Sequence, residues 1–218
     1  SLGIGPDVLV CRSEQELPNE EKNKIALFCS VPNDNVISMH DVETVYSIPL
    51  LLYKQKVDEI ILKKLNIKTK KPNLNDWKRV IKAKLHPVKE VNVSFVGKYT
   101  ELKDSYKSIN EALEHAGIQN KAKVNINFVE AEKITPKNVK RILKQSDAVL
   151  VPGGFGERGI EGMITACKYA RENNVPYLGI CLGMQVAIIE YARHVLKLKY
   201  ANSTEFDIET PFPVIGLI

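Results

Sequence analysis

The sequence predicts an α/β protein built on parallel sheet, and three observations lead there. Short apolar runs alternate with stretches of helical period along most of the chain. Those runs are continuous rather than alternating, as strands buried on both faces of a parallel sheet require. Gly and Pro stand where helices should start and stop, which gives the repeating strand–helix rhythm of right-handed crossovers.

The elements follow in order. Asp7–Cys11, Ile25–Cys29 and Val36–Met39 are predicted strands, and Pro49 to Leu62 is predicted helical, with Leu50-Leu51-Leu52 and Ile60-Ile61-Leu62 as its apolar face. These are too few strands for an independent sheet, so residues 1–65 are expected to be part of a larger α/β domain. Residues 66–90 are Lys-rich, with Pro72 and Pro87 bracketing a short helix, Leu74–Leu85, that carries Trp77. A polar, Pro-bounded stretch of this kind predicts an interdomain linker, with an exposed helix inside one domain as the alternative.

From residue 91 to 218 the rhythm is more regular. Strands are predicted at Val91–Val96, Val124–Val129, Ala148–Val151 and Tyr177–Ile180. Helices are predicted at Leu102–Ala116, Pro136–Leu143, Gly159–Glu172 and Leu182–Leu196. Gly117 is expected to cap the first of these and Pro136 to open the second. In such sheets chemistry gathers where the carboxyl ends of strands lead into helix N-termini.

Composition narrows the class. The 218 residues suit one large domain or two small ones. With 31 Lys plus Arg against 26 Asp plus Glu the net charge is +5, and the pI is near 8.9. An apolar fraction of 44% with 26% charge is ordinary globular composition. No apolar run approaches the roughly 20 residues of a membrane span, and no signal peptide opens the chain. The small, scattered positive excess does not imply a nucleic-acid platform. Four isolated Cys fit neither a zinc pattern nor a disulfide framework, which points to a soluble protein of a reducing compartment. Apolar strands at both ends predict a piece of a longer chain.

Gly179-Ile180-Cys181-Leu182-Gly183 follows an apolar strand and opens a helix. It has the form of a nucleophile elbow with Cys in the Ser position; the flanking glycines permit the strained turn. A helix N-terminus favours thiolate there. The plain alternative is a structural Cys. Cys11, Cys29 and Cys167 lack that setting and are expected to pack. One unit earlier, Val151-Pro152-Gly153-Gly154-Phe155-Gly156 ends a strand with glycines able to turn N–H groups toward developing negative charge, an oxyanion site. A Cys nucleophile needs a base. His194 lies 13 residues after Cys181 on the same predicted helix, about 20 Å away at 1.5 Å per residue. His115 ends another helix, His86 falls in the linker and His40 in the first segment, so the base is expected beyond Ile218.

The residues carry a family resemblance. Pro152-Gly-Gly-Phe-Gly-Glu-Arg-Gly-Ile-Glu-Gly162, Tyr169 to Gln185 and Ala201-Asn-Ser-Thr-Glu-Phe206 closely resemble the CTP synthase family. A Pro-Gly-Gly with Gly-x-Cys-x-Gly alone marks class I glutamine amidotransferases more broadly. Gly5 to Ser13, Lys24 to Cys29 and Val36 to Val42 are similar to the end of the family's synthetase domain. Gly97-Lys98-Tyr99 and Ser105 to Gly117 are similar to the start of its glutaminase domain.

The resemblance implies a P-loop-type amidoligase remnant over 1–65 and a flavodoxin-like glutaminase domain over 91–218, cut short at its C-terminal end. It implies amination of UTP to CTP, with ATP and Mg²⁺ activating the uracil 4-oxygen and L-glutamine or ammonia supplying nitrogen. Cys181 would be the nucleophile, with Gly153, Gly154, Phe155, Leu182, Gln185 and Glu205 at the oxyanion and glutamine sites. Arg12, Asp41 and Val42 would line the ATP adenine site, and Lys24 would meet a UTP or CTP phosphate. Phe155, Arg158, Gly159 and Glu161 would form a lid answering GTP, the allosteric activator; CTP would act as feedback inhibitor. A cytoplasmic homotetramer is implied for the full-length enzyme, with no nucleic-acid or membrane partner. The phosphate loop, the magnesium ligands, the triad His and Glu and a glutamine-gripping Arg have no match here, so the chain by itself is expected not to make CTP. Two alternatives stand beside this reading. Another class I amidotransferase leaves residues 1–65 without a purpose, and a catalytically dead glutaminase-like module leaves the elbow without one.

Overall fold

A computed structural model describes residues 3, 5–98 and 103–216. Leu102, the expected start of a helix, lies outside the described residues, as do Tyr99, Leu217 and Ile218. The chain divides into two compact units, Ser1–His86 and Pro87–Ile218. None of the helices among the described residues is long and apolar enough to cross a membrane.

In the first unit, strands β1 (Leu9–Ser13) and β2 (Val36–His40) pair in parallel, with Leu9 opposite Val36 and Ser13 opposite His40. Helix α1 (Asn19–Cys29) joins them. Ile25–Cys29, expected as a strand, is the end of this helix. Its signals are Pro18 before the first turn and Glu20 and Glu21 within it, where acidic groups favour the helix dipole. Only Ala26 of the helix is buried, while Leu27 and Phe28 are exposed.

The expected helix after Pro49 is two, α2 (Ile48–Lys54) and α3 (Val57–Lys64), broken at Lys56, which takes a left-handed φ of 59°. Beside the break, the Gln55 amide docks on the open edge of β2. Its Oε1 accepts from Ser38 N–H at 2.9 Å, and its Nε2 donates to Ser38 O at 2.8 Å. One side chain thus satisfies backbone groups that a neighbouring strand would otherwise meet. Helix α4 (Asn75–Leu85) goes with this unit, since Trp77 Nε1–H donates to Tyr46 O at 2.8 Å.

The second unit holds a parallel sheet in the order β4-β3-β5-β6: Ala122–Glu130, Lys89–Gly97, Ala148–Val151 and Tyr177–Gly179. The period of two sorts its side chains. Val93, Phe95 and Leu150 face one layer, where Tyr106 and helix α5 (Lys107–Gln119) pack, and the Phe95 and Tyr106 rings lie 4.6 Å apart. Val96, Val149 and Val151 face the other. There α6 (Val139–Leu143), α7 (Ile160–Glu172) and α8 (Leu182–His194) bring Leu143, Met163, Val186 and Ile189 into a closed core.

Gly117 does not cap α5, which continues to Gln119. It sits inside the helix because a Cβ there would lie 2.6 Å from Ala122 O; close packing, not chain termination, selects glycine. Among the described residues β6 is an edge strand, and Leu178 on it is exposed. Beyond α8, β7 (Asn202–Ser203) and β8 (Pro213–Ile215) form a small parallel pair.

Candidate active site

Cys181 stands between β6 and α8 as the helix N-cap, with φ 52° and ψ −103°. That pair lies outside the left-handed helical well, where non-glycine residues with positive φ usually rest. Conformations of this kind cost of order 1–3 kcal/mol and persist only where surrounding structure imposes them. Both flanking glycines help impose it. A Cβ at Gly179 would fall 2.4 Å from the Gly183 carbonyl, and one at Gly183 would fall 2.1 Å from Val151 O. Strand and helix therefore approach each other at a distance only glycine allows. Tyr177 pins the same turn, its hydroxyl donating to Gly183 O at 2.8 Å. The outcome is an exposed thiol on a rigid elbow.

The loop after β5 lies against that thiol. A Cβ placed on Gly153 would sit 3.5 Å from the Cys181 Cβ, and one on Gly154 would sit 3.3 Å from Leu182 Cδ2. Gln185 is one turn into α8, where its N–H donates to Cys181 O at 3.2 Å. Its side-chain Oε1 is buried without a hydrogen-bond partner. A buried acceptor left open beside a nucleophile suits a ligand that brings an N–H donor. Glu205, after β7, approaches the loop from the other side, with Gly156 N–H directed at its Oε1 at 3.4 Å. Cys181, Gly153, Gly154, Leu182 and Gln185 thus converge, and Glu205 borders the same loop.

Phe155 is 85% exposed at the loop tip. Gly156 and Gly159 take φ of 74° and 75°, which other residues rarely adopt. Arg158 donates from its guanidinium to Lys98 O at 2.7 Å and lies 3.6 Å from Glu132. Glu161 pairs with Arg193 at 2.8 Å, and Arg193 also donates to Ala201 O at 2.6 Å. Of the charged residues in the segment 155–161, Arg158 and Glu161 are each held by partners elsewhere in the chain.

The remaining titratable groups fall elsewhere. Cys167 is buried in α7, and burial, aided by nearby Glu190, pushes its thiol up to about 12; it packs, as expected. Cys29, expected to pack, is exposed because it ends a helix rather than a strand. His194 lies at the far end of α8, its Nδ1 3.3 Å from Glu190 Oε1. Glu190 is buried and receives both Nε and an η-nitrogen of Arg171, at 2.9 and 2.8 Å.

Sequence reasoning missed Lys98. It follows β3 at the carboxyl end of the sheet, the place where site residues were sought, yet a lone Lys after a strand carries no local mark of burial. Only 4% of it is exposed, and its Nζ donates to Phe155 O at 2.8 Å and to Gly156 O.

Known proteins match this arrangement in two places. The family described as glutamine amidotransferase class-I matches residues 101–208. The family described as CTP synthase N-terminus matches residues 1–67. The two lie in one chain, in that order. The chain belongs to the CTP synthase family. Among solved structures, the glutaminase domain of Trypanosoma brucei CTP synthase with bound acivicin is 39% identical, with a TM-score of 0.56. The match covers 58% of this chain and 50% of that one.

Within this CTP synthase family member, the first-unit residues implied by resemblance fall in two places. Arg12 on β1 and Asp41 just past β2 share the carboxyl end of the small sheet, where Asp41 N–H donates to Ser13 O at 3.1 Å, and Val42 follows half-buried. Lys24 is on the exposed side of α1, 3.1 Å from Glu21. Among the described residues no group of three or more His, Cys, Asp or Glu is arranged to hold a metal ion.

Proposed function

We propose that this chain serves an enzyme that aminates UTP to CTP at the expense of ATP, and that Cys181 releases the nitrogen from glutamine. The observation that carries the proposal is the Cys181 thiol, exposed on a strained elbow directly against Gly153. The Cys181 sulfur attacks the carboxamide carbon, and the carbonyl oxygen takes up negative charge toward the N–H groups of the Gly153–Gly154 loop. Collapse of the tetrahedral intermediate expels ammonia and leaves a thioester, which water then cleaves to glutamate. In the family pattern Gln185 and Glu205 would hold the amino-acid end of glutamine, the Glu205 carboxylate suiting its α-ammonium. The thiol proton passes to a general base, a His in the family pattern.

Arg12, Asp41 and Val42 are proposed at the ATP adenine and Lys24 at a pyrimidine-nucleotide phosphate. ATP with Mg²⁺ would supply phosphoryl transfer to the uracil 4-oxygen. The chain by itself is proposed to be inactive in CTP formation. An inert binding module is the second reading, and the backbone strain at Cys181 argues against it. The test is isotopic: full-length enzyme given UTP, ATP, Mg²⁺ and glutamine labelled with ¹⁵N in its amide should place the label in the 4-amino group of CTP. Glutamine hydrolysis without labelled CTP would reject the synthetase assignment.

The segment Phe155–Glu161 is proposed to answer GTP. Phe155 is free to stack on a purine, and an Arg offers a planar fork that Lys cannot copy. GTP would compete with Lys98 O and Glu132 for Arg158, and with Arg193 for Glu161. Ordering of the segment would act on the adjacent oxyanion glycines and raise turnover more than glutamine affinity. Arg158→Ala should lose GTP activation of glutamine-dependent synthesis while ammonia-dependent rates hold. An unchanged GTP response in that variant would reject the lid.

A further inference from the structure

We infer that Lys98 is a positioning residue for glutamine hydrolysis, holding the two peptide planes that directly follow the oxyanion glycines. This rests on the reading of Cys181 as the nucleophile.

A lysine that is 4% exposed has lost nearly all its water, and its three ammonium protons need partners from the protein. Two partners are consecutive carbonyls, Phe155 O and Gly156 O, 57 and 58 residues further along the chain. In a trans peptide the C=O and the following N–H point in opposite directions. Turning these two carbonyls inward to Lys98 therefore turns the N–H groups of Gly156 and Glu157 outward and anchors the chain directly after Gly153 and Gly154. Gly156 N–H accordingly faces Glu205 at 3.4 Å. The lysine stem adds a floor: a Cβ on Gly154 would lie 3.6 and 3.7 Å from its Cδ and Cε. Arg158 closes the clamp from above by donating to Lys98 O at 2.7 Å.

The ammonium sits where its charge is strained. Burial pulls it below the ordinary lysine range; the Glu205 carboxylate opposes that, and Arg158 adds to it. The Lys98 ammonium is engaged by the Phe155 and Gly156 carbonyls. It acts through the loop, so its removal should affect the step in which the oxyanion forms and spare the binding of ground-state glutamine.

The experiment compares Lys98→Met, Lys98→Gln and Cys181→Ala with wild type in the full-length enzyme. Loss of one oxyanion donor lowers kcat by about 10²–10³, so Lys98→Met should lower kcat for glutamine hydrolysis by about 10² with KM nearly unchanged. A glutamine analogue with an aldehyde in place of the carboxamide forms a hemithioacetal whose oxygen needs the same donors. Its affinity should fall by the same factor. Ammonia-dependent synthesis and thermal melting report folding and should stay at wild type. Lys98→Gln keeps two N–H donors without the charge and should fall between. Should the Met variant fail to fold, the Gln variant decides by the same split of kcat against KM.

An unchanged kcat with undiminished aldehyde affinity would overturn the inference. So would a loss carried wholly by KM, which would place the role of Lys98 in binding through Glu205. If Cys181→Ala still hydrolyses glutamine, the nucleophile reading itself fails, whatever Lys98 does. If Cys181→Ala is inactive and Lys98→Met is wild type, only the positioning role fails.

Discussion

Replacing Cys181 by alanine in the full-length enzyme should lower glutamine-dependent CTP formation to background and leave ammonia-dependent formation near wild type. Removing a covalent nucleophile costs roughly 10⁴-fold or more, because the remaining donors have no intermediate to stabilise. No neighbouring thiol can substitute. Cys167 is buried with its thiol pushed up to about 12, so it stays protonated. The ammonia-dependent rate is the decisive control, since it bypasses the thiol. If it collapses together with the glutamine-dependent rate in a folded variant, release and use of ammonia are not separate sites and the assignment of Cys181 fails.

Gly183→Ala should be nearly as damaging through geometry alone. The added Cβ would meet Val151 O at 2.1 Å, a backbone atom inside the sheet that has no rotamer to escape into. Overpacking typically costs 1–3 kcal/mol and occasionally more, and a clash with backbone belongs at the upper end. Either α8 is pushed off the sheet or the elbow opens, and both displace Cys181 from Gly153. The measurements are a thermal melt and the glutamine-dependent rate, beside Gly216→Ala, whose Cβ would find only ordinary contacts at 3.6 Å to Thr204. A Gly183→Ala protein with wild-type melting and wild-type glutamine turnover would show that the close approach of β5 and α8 does not govern the elbow.

The sequence alone determined what depends on local pattern. The four strands from Val91 to Gly179 were visible because each is a short apolar run bounded by turn residues, and strand burial imposes that composition whatever the partner. The elbow was visible because the close approach of strand and helix excludes a side chain at two fixed positions around Cys181. Glycine spacing records that exclusion directly. Helix α1 was legible in principle, through Pro18, Glu20 and Glu21, but an apolar run at its end outweighed them.

Tertiary structure alone decided what depends on residues far apart in the chain. Gly117 looks like a cap in sequence and proves to be a packing glycine, because its constraint is the carbonyl of Ala122 on the next strand. Glu161 reads as a free carboxylate until Arg193, 32 residues on, closes on it. Lys98 is the clearest case: its burial follows from two carbonyls on a loop that only the order β3-β5 brings beside it. A solvated lysine and a buried, clamped one have the same neighbours in sequence. They differ in the carbonyls that replace their water, and those are supplied by the fold.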